Sequence, residues 1–152
     1  MEFELPRDFK ELLESLNAHK VRYLLIGGYA VGIYGYSRST NDIDIFVSDK
    51  RENVINLLRA LAEFGFGDPD LSIDTLKEER SMIEMGIEPM KVQILNFADG
   101  LDFEDCYVRK NSVAIEDIFV DTISKDDLVK NKIATGRHKD LADVERLVKL
   151  YE

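Results

Sequence analysis

The segment Asp42-Ile43-Asp44-Ile45-Phe46-Val47 constrains this chain more than any other. Side chains two apart in a β-strand share a face. A strand therefore sends Ile43 and Ile45 into a core and sets Asp42 and Asp44 side by side on the other face. The segment turns fully apolar after Asp44, so it reads as a strand entering the interior with its carboxylates near the rim. Two adjacent carboxylates repel each other and are costly to hold ionised. A divalent cation relieves that cost, and magnesium commonly takes one or two carboxylates together with phosphate oxygens. Alone, such a triplet is weak evidence. The chain has 30 acidic residues, Asp68-Pro69-Asp70 is a second example, and a solvated strand edge would account for either.

Elements of both kinds alternate around this segment. Phe9, Leu12, Leu13 and Leu16 recur at helical spacing and predict an amphipathic helix over 7–18. Residues 23–26 read as a buried strand ending at Gly27-Gly28, and 29–34 as a short helix closed by Gly35. Residues 37–41 are polar and read as a loop. Val54, Leu57, Leu58 and Leu61 mark a helix, and Gly65, Gly67 and Pro69 break the pattern after it. The apolar runs 81–85 and 91–96, separated by Gly86 and Pro89, predict a strand pair. A short helix over 102–108 and one or two short strands within 113–123 follow. Ser124 with Asp127 three residues later is a capping-box variant that starts a helix, and Gly136 stops it. Leu141, Val144, Leu147, Val148 and Tyr151 predict a final amphipathic helix. The expected class is α+β, a mixed β-sheet covered by helices with helices at the C-terminal end, in a single domain over 1–152.

A length of 152 residues suits one sizeable core. No run of about 18 apolar residues predicts a membrane span. The first ten residues are charged and lack the apolar stretch of a secretory signal, so a cytoplasmic protein without a membrane partner is expected. The single cysteine, Cys106, cannot close an internal disulfide. With only His19 and His138 beside it, a His/Cys zinc site lacks ligands. The formal net charge of −10 repels polyanions and argues against binding extended nucleic acid. Lys125, Lys130, Lys132, Arg137, Lys139, Arg146 and Lys149 form a basic stretch interleaved with acids. It reads mostly as solvated helix surface, with a phosphate-facing patch as the alternative. Phe64, Phe66 and Phe103 would cover either a core edge or a dimer surface.

Gly27-Gly28 stands before the carboxylate pair with 13 residues between Gly28 and Asp42, at the end of a strand and the start of a helix. Glycine there lets backbone approach a phosphate, and a helix N-terminus offers free N–H groups to an anion; a simple tight turn is the plainer alternative. Arg38 and Thr40 lie between the two motifs. Arg38 can take a triphosphate oxygen by charge-assisted hydrogen bonds, or pair with Asp42 or Asp44.

The run Leu25-Ile-Gly-Gly-Tyr-Ala, then Gly35, Arg38, Thr40 and Asp42-Ile-Asp-Ile, resembles the signature of the nucleotidyltransferase superfamily. The nearer match is to small bacterial proteins related to the abortive-infection toxin AbiEii. Met85-Gly86 through Lys91-Val-Gln-Ile-Leu and Gly100-Leu-Asp-Phe103 are similar to the segment around that family's third acidic residue. Lys132, Ala134, Gly136-Arg137, Lys139-Asp140-Leu and Asp143 are similar to its C-terminal helical motif. The resemblance covers roughly residues 21–150.

This resemblance implies the nucleotidyltransferase fold and transfer of a nucleoside monophosphate from an NTP to an acceptor, with release of pyrophosphate. It makes Asp42 and Asp44 the catalytic carboxylates that hold Mg²⁺ or Mn²⁺. Gly27, Gly28, Arg38, Thr40 and Lys132 become the nucleotide-binding set. Lys139 and Asp140 either join that set or pin the last helix to the core. The third acidic position of the family is Gln93 here. Glutamine is a neutral ligand for a hard cation and no general base at neutral pH. Three consequences stand open: slower catalysis with one tight metal, compensation by an acid such as Glu84, or a module that binds nucleotide or a partner protein without turnover. A toxin–antitoxin role rests on the resemblance alone. The acceptor (RNA, protein or small hydroxylated molecule) is not specified.

Overall fold

Phe9, Leu12, Leu13 and Leu16 are all buried in α1 (Arg7–Ala18), so the first helix lies where its apolar spacing predicts. The structure, a computed structural model, describes residues 5–35, 41–65, 71–86 and 91–149. After α1 come β1 (Tyr23–Ile26), α2 (Gly27–Ile33), β2 (Asp42–Val47), α3 (Arg51–Phe64), β3 (Met82–Met85) and β4 (Lys91–Leu95). Then follow α4 (Phe103–Val108), β5 (Asn111–Ile115), β6 (Ile118–Thr122), α5 (Lys125–Thr135) and α6 (His138–Lys149).

The strands form one six-stranded sheet in the order β3-β4-β2-β1-β6-β5. β2 pairs antiparallel with β1 and parallel with β4; β3 and β5 pair antiparallel with β4 and β6, and β1 runs parallel to β6. The sheet is thus mixed, with β2 near its centre.

Each sheet face builds its own core. Leu25, Ile43, Ile45, Val92 and Ile94 pack on one side with Leu12 and Leu16 of α1 and Leu57 and Leu61 of α3. Leu24, Ile26 and Phe46 pack on the other with Phe103 and Cys106 of α4, Leu128 of α5 and Leu147 of α6. Burying a side chain of this size contributes roughly 1.5–3 kcal/mol. Alternation in β2 therefore runs from two carboxylates to Phe46 on one face while Ile43 and Ile45 anchor the other. Phe64 and Phe103 each cover a core edge.

Helix ends follow their local chemistry. The Ser124 side chain accepts a hydrogen bond from the Asp127 N–H at 3.1 Å, and Gly136 closes α5 in the left-handed conformation. Asp102 caps α4 in the same way through the Asp105 N–H. Gly65 ends α3 with φ +110°.

Two readings need correction. α2 begins at Gly27 rather than Tyr29, so both glycines belong to its first turn. In α6 the buried face is Asp140, Asp143 and Leu147, whereas Leu141 and Val148 are exposed. The apolar spacing misled there because the buried carboxylates have a partner, described below. Of the basic stretch, Lys125 and Lys132 are buried, while Lys130, Arg137, Lys139 and Arg146 are exposed. Arg38, Thr40 and Phe66 lie outside the described residues. Among the described residues no helix is long and apolar enough to cross a membrane.

Candidate functional site

An open cleft of about 390 Å³ lies where the carboxylate end of β2 meets the turn between α5 and α6. Ile26, Gly27, Gly28, Asp44 and Gln93 wall it from the sheet side. Lys132, Arg137, Lys139 and Asp140 wall it from the helical side. Residues more than 80 positions apart in the chain thus face one space.

Strand register aligns the sheet side. Asp44 is opposite Ile26 on β1 and opposite Gln93 on β4, and Gln93 is opposite Glu84 on β3. Paired residues share a face, so Asp44, Gln93 and Glu84 form a row across three neighbouring strands. The Gln93 amide nitrogen donates to Glu84 Oε2 at 3.4 Å, and Lys91 Nζ lies 3.5 Å from Glu84 Oε1. Asp42 is opposite Lys91, two residues further out on the Asp44 face, and is not part of the cleft wall.

Asp44 is the unusual member. Its Oδ1 is buried without a hydrogen-bond partner, and no other side-chain polar atom among the described residues is so placed. Leaving such an atom unpaired costs free energy. Burial, and next the charge of Asp42, push its carboxyl up to about 6; Lys132, Lys139 and Arg137 pull the other way. Gly27 is why the carboxylate fits. With φ +71° it adopts a backbone that disfavours other residues, and a Cβ there would sit 3.1 Å from Asp44 Cγ and closer still to Oδ2.

This donor set suits a hard cation. Two carboxylates on one strand face and a neighbouring amide are oxygen ligands of the kind magnesium takes alongside phosphates. An orphaned, desolvated carboxylate oxygen is what a cation would satisfy. Glu84 does not complete a three-carboxylate site. Two strand spacings, roughly 10 Å, separate β3 from β2. Among the described residues no group of three His, Cys, Asp or Glu side chains could hold a metal together.

On the helical side, Lys132 is nearly inaccessible, with Nζ 3.2 Å from Asp140 Oδ1 and 3.1 Å from Asp143 Oδ2. Asp140 also accepts from Thr135 Oγ1 at 2.7 Å and from Arg137 Nε at 2.6 Å. Burial would raise the Asp140 carboxyl, but the Arg137, Thr135 and Lys132 contacts outweigh it and hold the group at about 2. Asp140 therefore does pin α6 to α5, and Asp143 shares that role. The buried pairing of Asp143 with Lys132 escaped sequence reading; its only signal was the spacing Lys132…Asp140…Asp143, one apposed face once the two helices fold back.

Of the sequence-predicted residues, the structure brings Gly27, Gly28, Asp44, Gln93 and Lys132 into one cleft, with Asp42 beside it on β2. Arg137, Lys139 and Asp140 are also in its wall.

Known proteins share this architecture. A solved candidate nucleotidyltransferase from Thermotoga maritima superposes with a TM-score of 0.66 at 16% identity, covering 96% of each chain. The lincosamide antibiotic adenylyltransferase LnuA, solved with lincomycin bound, superposes at 0.61 and 16% identity, covering 98% of this chain and 99% of that one. At such identity the likeness is one of fold. Over 87 residues the chain is 33% identical to a Borrelia garinii subsp. bavariensis protein named as a candidate N-acetylmannosamine-6-phosphate 2-epimerase. That match takes in 55% of the chain but 34% of the relative, so the chain spans about a third of the length of the curated relative it matches. Residues 3–150 match the family described as "Nucleotidyltransferase of unknown function (DUF6036)", and the chain belongs to that family.

Proposed function

We propose that the chain transfers a nucleoside monophosphate from an NTP to a hydroxyl acceptor in a metal-dependent reaction. The observation that carries this reading is the buried, unpartnered Oδ1 of Asp44, a residue whose carboxylate lies against Gly27 in a cleft with cations on its opposite wall. Asp42 and Asp44 would hold Mg²⁺ or Mn²⁺, with the Gln93 side chain as a weaker neutral ligand. The ion, when bound, would supply Lewis-acid neutralisation of phosphate oxygens.

The chain's own groups supply binding and orientation. Gly27 and Gly28 bring the first turn of α2 to the cleft wall, where the phosphates would lie. Arg38 and Thr40 belong to the nucleotide set that the sequence resemblance implies; that set also names Lys132, whose part is taken up below. The acceptor oxygen forms its bond to the α-phosphorus as the bond from that phosphorus to the bridging oxygen of the β-phosphate breaks. Pyrophosphate carries away the bonding pair, and the hydroxyl proton passes to water or to Asp44. Positioning and electrostatics do most of the work in phosphoryl transfer, so Gln93 in place of an acid slows the reaction rather than abolishing it.

Calorimetric titration of each NTP with Mn²⁺ tests the site, followed by pyrophosphate release in the presence of candidate acceptors (RNA, protein and small hydroxylated molecules). Wild type should bind and Asp44→Asn should not; equal binding by both would sink the reading.

Gln93 favours a second reading, a module that binds nucleotide or a partner protein without turnover. It predicts NTP binding without pyrophosphate release, and gain of release in Gln93→Asp. A kinship with AbiEii-type toxins, supported by the sequence resemblance, predicts growth arrest on expression that Asp42→Ala relieves. Harmless expression would count against it.

A further inference from the structure

We propose that Lys139 is the ammonium that contacts the triphosphate, and that Lys132 is a positioning residue behind it. This rests on the nucleotide reading above and assigns its charged contact. Among the described residues the cleft presents three cations, Lys132, Arg137 and Lys139. Two are already committed. Lys132 is held between Asp140 and Asp143, and its side chain is 6% exposed. Arg137 donates from Nε and Nη2 to the two Asp140 oxygens. Those two cations and two carboxylates form an internally neutral set. Moving Lys132 onto a phosphate would pull it away from two buried carboxylates that it holds at once, a costly exchange.

Lys139 has no such commitment. It is exposed, it lines the cleft, and no carboxylate among the described residues lies within ion-pair distance of it. Its position is also unfavourable for the helix itself. Lys139 is the second residue of α6, where a cation opposes the positive end of the macrodipole. A lone ammonium there destabilises the helix end, yet together with that end it presents an anion with two like-signed attractions. A triphosphate offers the cleft more negative charge and more reach than a monophosphate, so a contact at Lys139 should favour the NTP over the NMP.

Lys139→Ala, Lys139→Arg and Lys132→Met should be compared with wild type by calorimetry, using the tightest-binding NTP with Mn²⁺, the matching NMP with Mn²⁺, and Mn²⁺ alone. Lys139→Ala is expected to weaken the NTP about tenfold, the effect of one charge-assisted contact, and to leave the NMP and Mn²⁺ unchanged. Lys139→Arg should recover most of the loss. Lys132→Met should lower thermal stability and weaken all ligands alike. The proposal is overturned if Lys139→Ala binds NTP as wild type does, if it loses NTP and NMP equally, or if Lys132→Met keeps its stability and alone loses the preference for NTP. Absence of NTP binding by wild type would instead overturn the nucleotide reading itself.

Discussion

Replacing Gly27 by alanine tests the geometry of the site more directly than removing a carboxylate does. The added methyl would lie 3.1 Å from Asp44 Cγ and 3.2 Å from Cβ, and Oδ2 would have to retreat by about 1 Å to reach ordinary contact. Alanine at φ +71° costs about 1–2 kcal/mol. A less flexible unfolded chain returns about 0.4–1 kcal/mol. These backbone terms net to about 1 kcal/mol, a fall in Tm of about 3 °C for a domain of this size, and displacing the Asp44 carboxyl adds to it. The functional loss should be far larger. A displacement of about 1 Å at a reacting centre can cost about 10²-fold in rate. Thermal melting and Mn²⁺ titration on one preparation separate the two effects. A folded Gly27→Ala protein with slightly lower Tm and strongly weakened Mn²⁺ binding is expected. Wild-type Mn²⁺ affinity in that variant would refute the claim that Gly27 exists to admit the Asp44 carboxylate.

Other perturbations have defined outcomes. Asp44→Asn should stabilise the metal-free protein at pH 7, by at most about 3 kcal/mol from a carboxyl raised from 3.8 to about 6, while abolishing transfer; chemical denaturation reads the first effect. The sign is fixed because a raised carboxylate carries no penalty below pH 3.8. The penalty grows as pH rises toward 6, so metal-free wild type should lose stability over that interval and Asp44→Asn should not. Asp140 behaves oppositely. Its lowered carboxyl contributes stability above about pH 4 that is lost as pH falls through about 2, so acid unfolding should set in within that window. Asp140→Asn, which removes one of the two carboxylates around buried Lys132, should cost at most about 3–5 kcal/mol in a denaturation series at neutral pH. Gln93→Asp should tighten Mn²⁺ binding and raise the rate of pyrophosphate release, and a variant with neither gain would show that the third position is not limiting.

Much of this protein is determined by local sequence. Period-two alternation places Asp42 and Asp44 on one face of β2 and Ile43 and Ile45 on the other, because strand geometry leaves no second choice. Ser124 and Gly136 bound α5 through backbone groups only a few residues away. Such features are legible because their cause lies within one turn or one strand. What the sequence could not decide depends on apposition across the fold. Asp44 Oδ1 becomes buried only in the assembled fold, and no neighbour in the chain predicts that an oxygen there goes unpaired. Lys132 becomes a buried strut rather than a surface cation because α6 folds back and sets Asp140 and Asp143 against it. That pairing also inverts the α6 pattern, since a carboxylate with a buried counter-ion can occupy an interior position that hydrophobic spacing reserves for Leu141 and Val148. Burial is a property of the assembled surface, and charge sets the cost of burial, so the roles of these residues were decided only when the sheet and the two C-terminal helices came together.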